Sequence, residues 1–209
     1  MMDFYQSKQI KIGSIATSEV EIRDLIKAWV AISIAFAIVM RSPSLGLNFY
    51  YSFIIASLTV GTGFLLHELG HKVVAQRYGC FAEFRAFNQF LILAIIMSFF
   101  GFVFAAPGAV MINGPVGVRR NGKISVAGPL VNLALALFFL SILLVPPAGI
   151  LKTIAVYGFF INSWLALFNM IPIWNLDGAK VLRWSKAVYA LVVLIALSFM
   201  FLQNFFPVR

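Results

Sequence analysis

Long apolar runs broken by short polar stretches dominate the chain, and their lengths decide what each can form. Residues 25–40, 49–77, 129–145, 151–170 and 187–206 are each apolar over a length close to that needed to cross a hydrocarbon core as a helix. A sixth stretch, 89–106, is apolar too, but a Pro- and Gly-punctuated segment follows it to residue 127. Within that segment Gly108–Asn113 and residues 123–127 read as extended, with Arg119-Arg120-Asn121-Gly122 as the turn between strands. Residues 172–178 cannot be continuous helix, because Pro172 lacks a backbone donor and Gly178 loosens the chain. The polar, mixed-charge residues 1–23 form a short arm with a strand expected over 9–15.

The pattern predicts an all-α polytopic membrane protein with a small membrane-associated β element. It divides into the arm, residues 1–23, and a single membrane-embedded domain, residues 24–209, with a re-entrant or β region over about 89–127.

Composition narrows this further. Of 209 residues, 62% are hydrophobic and 11% charged, against about 45–50% and 25% in soluble domains. A soluble protein of this size has too much surface to hide so many apolar side chains. Sixteen Lys and Arg against seven Asp and Glu give a net charge of +9. The cations flank the apolar runs instead of forming a groove-like patch, which points to a lipid bilayer and away from nucleic acid. The single cysteine, Cys80, excludes an intrachain disulfide framework and a Cys-rich zinc site. No small-residue cleavage site follows the first apolar run, so a removable signal peptide is not expected.

Charge also bears on how often the chain crosses. If residues 89–106 span, there are six crossings and the cations divide almost evenly between the two sides. If that stretch dips in and returns, there are five, and all but Arg41, Lys152 and Arg209 of the sixteen Lys and Arg fall on one side. Because positive charge favours the cytoplasmic face, five spans plus a re-entrant segment are preferred, with six spans as the alternative and the N-terminus cytoplasmic. Returning non-helical backbone must line a shielded or wet cavity, so a strand near residues 102–112 should border a pocket.

The chemistry sits in the second run. His67-Glu68-Leu69-Gly70-His71 is an H-E-x-x-H on a helix: two imidazoles four residues apart share a face and can reach one Zn²⁺, with a carboxylate beside them to accept a proton from water. Both histidines of the chain lie in this motif, and ionisable groups inside an apolar helix are costly unless they are used. A catalytic zinc takes three protein ligands and leaves one position open. Asp3, Glu19, Glu21 and Asp24 belong to the N-terminal end, which leaves Asp177 as the best third ligand and Glu83 as the fallback. Gly128 and Asn132, four apart at a helix start, permit close helix approach and an amide donor toward a carbonyl or oxyanion; a plain interhelical hydrogen bond accounts for Asn132 equally well. Asn169 is read as satisfying backbone freed near Pro172, and Trp174 and Trp184 as interface anchors. A serine–histidine pair is not available, because both histidines are already taken, and an aspartyl site lacks its second aspartate at membrane depth.

Taken together, His67-Glu68-Leu69-Gly70-His71, Gly128-Pro129-Leu130-Val131-Asn132 and the run from Asn169 through Pro172 to Asp177-Gly178 resemble the three motifs of the site-2 protease family of intramembrane zinc metalloproteases, in the family's order. The resemblance implies that His67, His71 and Asp177 hold one Zn²⁺ per chain, that Glu68 is the general base, and that Asn132 and Gly128 lie near the substrate. It implies hydrolysis of peptide bonds within transmembrane segments of membrane proteins, as in regulated intramembrane proteolysis. The setting is a multi-pass plasma-membrane protein with its active site toward the cytoplasm. The chain is similar to the compact members without a PDZ-like domain, and departs from them in having one span after Asp177 in place of two. The alternatives are a prenyl-protein-type membrane metalloprotease and a non-enzymatic zinc carrier or scaffold. The sequence does not specify an oligomeric state.

Overall fold

The computed structural model describes residues 9–13, 15–41, 48–103, 107–145 and 147–206. The N-terminal residues fold into two strands, β1 (Gln9–Ile12) and β2 (Ile15–Ser18), paired antiparallel. Ser18 then caps α1 (Glu19–Met40) by accepting the Glu21 N–H at 3.2 Å. The expected single strand over 9–15 is thus a ribbon, and the serine cap starts the first helix at Glu19.

Residues Phe49–Arg77 form one rod of three parts: α2 (Phe49–Ala56), a π-helical turn (Ser57–Gly61) and α3 (Thr62–Arg77). The wide turn leaves the Ser57 carbonyl to accept the indole N–H of Trp29 at 3.1 Å and the Thr62 hydroxyl at 2.9 Å. A Cβ at Gly61 would stand 2.7 Å from Ser33 Oγ, so α1 packs tightly against the rod here.

After α3 the chain forms β3 (Phe81–Ala86), α4 (Asn88–Ser98) and β4 (Gly108–Asn113). The two strands pair antiparallel from Phe81↔Asn113 to Ala86↔Gly108. The Phe87 N–H donates to the Pro107 carbonyl at 3.0 Å, so the excursion between them leaves and returns at the same place. At eleven residues, α4 reaches about 16 Å, roughly half a hydrocarbon core.

One helix, α5 (Val118–Leu144), occupies the stretch where the sequence suggested a turn and a second strand at 119–127. The composition Arg-Arg-Asn-Gly is turn-like, but the periodicity overrides it. Gly122, Ser125, Val126, Pro129, Asn132, Leu133 and Ala136 are buried at three- and four-residue spacing, a single continuous face. Gly122 is needed on that face because a Cβ there would run into Trp184. Trp184 is accordingly half-buried against α5, whereas Trp174 is 98% exposed and suits the interface role expected of both.

The chain continues with α6 (Gly149–Asn169), an irregular stretch through residues 170–176, then α7 (Asp177–Trp184), α8 (Lys186–Leu202) and a closing 3₁₀ turn (Gln203–Phe205). Val126 and Leu133 of α5, Ala166 of α6, Val181 of α7 and Val192 of α8 share one core cluster. Among the described residues the fold is therefore all-α with two small antiparallel two-stranded sheets. Among the described residues, four helical rods are long and apolar enough to cross a membrane: Phe49–Arg77, Val118–Leu144, Gly149–Asn169 and Lys186–Phe205.

Candidate metal centre

The site forms where α3, α5 and the start of α7 meet. His67 and His71 stand one turn apart on α3, with ring centroids 4.7 Å apart and planes nearly perpendicular at 85°. Their Nε2 atoms are 3.1 Å apart, and Asp177 Oδ2 lies 3.4 Å from that of His67 and 3.1 Å from that of His71. All three residues are buried. Three donors bound tetrahedrally to zinc at ordinary bond lengths stand about 3.3 Å from one another. The observed triangle has that size.

The other sides of both rings are fixed. His71 Nδ1–H donates to the carbonyl of Ile124 at 2.8 Å, and His67 Nδ1–H donates to Asn132 Oδ1 at 2.5 Å. A carbonyl oxygen only accepts, so each Nδ1 must carry its proton and each Nε2 presents a lone pair to the triangle. The orientation of Asn132 is fixed in the same way. Its Nδ2 donates to the Gly63 carbonyl at 3.2 Å and to Asn162 Oδ1 at 3.0 Å, while Asn162 Nδ2 donates to the Gly158 carbonyl at 2.9 Å. Both amide hydrogens of Asn132 are thereby spent on α3 and α6, and its oxygen faces His67.

Gly128 leaves open the space in front of the donors. A Cβ on it would lie 2.5 Å from Nε2 of both histidines, filling the place a metal would take. Together with the donor spacing and the two fixed tautomers, that gap makes the cluster fit a single zinc ion. Asp177 comes from the first turn of α7. It is buried, and its Oδ2 faces the Nε2 atoms of both histidines. Beside the triangle, Glu68 accepts the Val110 N–H from β4 through Oε2 at 3.1 Å.

The structure thus brings His67, His71 and Asp177 to one point, with Gly128, Asn132 and Glu68 around it. Glu83 is not among them: it lies on β3, buried and paired with Arg85. Asn169 donates to the Leu165 carbonyl at 2.9 Å, within its own helix. Sequence reasoning missed Asn162, although an amide inside the apolar run of α6 was a signal. It also missed Lys72, which is 1% exposed and paired with the fully buried Glu21.

Two proteins of Methanocaldococcus jannaschii are similar to this chain. One, named "Putative zinc metalloprotease MJ0611", is 41% identical over 186 residues, covering 88% of this chain and 95% of its own. The other, named "Zinc metalloprotease MJ0392", is 28% identical over 124 residues, covering 57% of this chain and 30% of its own. No family model matches the chain. No solved structure matches it either.

Proposed function

The chain belongs to the site-2 protease family of intramembrane zinc metalloproteases, and from that premise we propose that it cleaves peptide bonds within the transmembrane segments of other membrane proteins. The observation that carries this reading is the buried triangle of His67, His71 and Asp177 with Glu68 alongside, set among helices of membrane-crossing length. Zinc held there supplies Lewis acidity toward a scissile carbonyl and lowers the pKa of the attacking water.

The chain's own groups do the rest. The Nε2 atoms of His67 and His71 and the carboxylate of Asp177 are the ligands. Glu68 is the general base: with Oε2 engaged by Val110, Oε1 takes the proton from water and delivers it to the leaving amine nitrogen. Asn132 has no amide hydrogen left for an oxyanion, so its role is to orient His67, while Gly128 keeps the approach to the ligands open.

A helical substrate hides its amides in hydrogen-bonded turns and must unwind locally to be cut. The outer edge of β4 would pair with part of the segment so released, by strand addition. The Val110 N–H already points away from β3 toward Glu68, which places that edge beside the site. In the membrane, α1 would supply a fifth crossing and α4 the re-entrant segment, with the N-terminus and the active site toward the cytoplasm. The short reach of α4 and the return of the chain at Pro107 favour that arrangement over six spans.

The test is incubation of the purified protein in detergent with transmembrane peptides, with and without a zinc chelator, and mapping of products by mass. Chelator-sensitive cleavage inside the apolar segment is expected. Zinc bound at one per chain with no cleavage of any membrane peptide would favour a carrier or scaffold.

A further inference from the structure

Phe84 of β3 and Val110 of β4 stand directly opposite each other in the sheet. Neither N–H bonds across the pair: Phe84 N donates to Glu21 Oε1 at 2.9 Å, and Val110 N donates to Glu68 Oε2 at 3.1 Å. This is the non-hydrogen-bonded type of antiparallel pair, in which both amides point outward to opposite edges. A carboxylate holds each edge at the same level of the sheet.

The two carboxylates are not independent. Glu21 Oε2 takes the ammonium of Lys72 and the hydroxyl of Thr17, the latter at 2.7 Å. Lys72 follows Glu68 by four residues, so both side chains stand on one face of α3. That face therefore grips the two-stranded sheet twice, directly at Val110 through Glu68 and indirectly at Phe84 through Lys72 and Glu21. Asp24, one turn along α1 from Glu21, accepts the next outward amide of β3, Ala86 N–H, at 3.2 Å. The outer edge of β3 is capped by side chains at both positions. Glu21 and Lys72 are 0% and 1% exposed, a placement that is costly for a charge pair unless every group has its partner.

From this we infer that Glu21 and Lys72 are positioning residues: they set the height of the β3–β4 sheet on α3 so that the Val110 amide meets Glu68. The inference rests on the proposed role of Glu68 for its catalytic consequence, but not for its structural one. A misplacement of about 1 Å at a reacting group can cost on the order of a hundredfold in rate.

The experiment compares Glu21→Gln, Lys72→Met and the double variant, full length and zinc-loaded, in detergent. Each single variant strands one buried partner and should melt earlier. The double variant removes both charges, and neutral replacement of a buried pair is commonly tolerated, so its melting temperature should return toward wild type. Turnover should not return. We expect kcat in the double variant to remain roughly ten- to a hundredfold low, with KM changed less than about threefold and one zinc still bound. Independently of any peptidase activity, hydrogen exchange in the peptide covering Gly108–Asn113 should be faster in the double variant than in wild type. Wild-type turnover together with wild-type exchange in a folded double variant would overturn the inference. Faster exchange in a protein that cleaves nothing would uphold the sheet-setting role and remove the peptidase reading instead. If both single variants fail to fold, the double variant alone decides.

Discussion

Gly178 rests against the backbone of Met170, so closely that a Cβ on it would collide with the Met170 carbonyl. Through this contact the first turn of α7 is seated on the end of α6, and Asp177, the preceding residue, is delivered to the two histidines. Ala is ordinarily better than Gly in a helix by about 1 kcal/mol. Gly178→Ala should nonetheless lose zinc, because the added methyl lifts α7 and withdraws Asp177. Metal analysis of the purified variant should find well under one zinc per chain, while Ala179→Ser, with its half-buried side chain, should keep a full complement.

A second pair of glycines gives a graded comparison. At Gly128 a Cβ would lie 2.5 Å from both Nε2 atoms, whereas at Gly70 it would meet Val131 Cγ2 at 3.0 Å and the Ala127 carbonyl at 3.2 Å. Gly128→Ala should therefore abolish zinc binding and also lower the melting temperature of the metal-free protein, because both rings it meets are held through Nδ1. Gly70→Ala crowds the α3–α5 crossing and should lower the melting temperature while leaving one zinc per chain. Zinc analysis and thermal unfolding of the two variants check this directly.

The amide relay makes a prediction about affinity. Removing a group that orients a metal-bound histidine commonly costs ten- to a hundredfold in binding. Asn132→Ala should weaken zinc by about that factor, measured by competition with a chelator. Asn162→Ala acts one bond further away, through Asn132, and should weaken it by less.

Glu68→Gln should retain one zinc per chain and lower kcat by about two to four orders of magnitude, the usual contribution of a general base. Asp177→Ala should lose the metal itself, and Glu83→Gln should keep both metal and turnover. Mass-mapped peptide cleavage beside metal analysis separates the three outcomes.

The arrangement in the membrane can be read with a thiol reagent. Cys80 is the only cysteine and is buried, so a Cys80→Ala background carries single cysteines at position 120 or at position 152, both exposed in the structure. An impermeant reagent added to sealed cells should label position 152 and spare position 120. Labelling of position 120 with position 152 spared would instead fit six crossings and exclude the five-crossing arrangement.

Much of the site is visible in the sequence because its logic is local. His67 and His71 share a helix face by spacing alone, and the break before Asp177 is signalled by Pro172. What the sequence conceals depends on partners distant along the chain. Glu21 and Lys72 lie 51 residues apart, and each alone resembles an ordinary charge at a helix end. The course of α5 was hidden for a different reason: the turn-like run at 119–122 is overruled by the burial of Gly122 against Trp184, a contact with a helix formed some sixty residues later. The four rods of membrane-crossing length were legible from apolar runs alone. The pairing of β3 with β4 was not, because only β4 was apparent as a strand.

The wide turn at Ser57–Gly61 has a consequence for the helix it interrupts. Each residue of an α-helix advances the side-chain direction by about 100°, and a π-turn accommodates one residue more than a regular turn would. Upstream and downstream of Ser57 the rod is therefore out of phase with itself. Closing the wide turn into regular helix without removing a residue would swing the metal-binding pair round by about 100°, away from Asp177, without altering a single ligand.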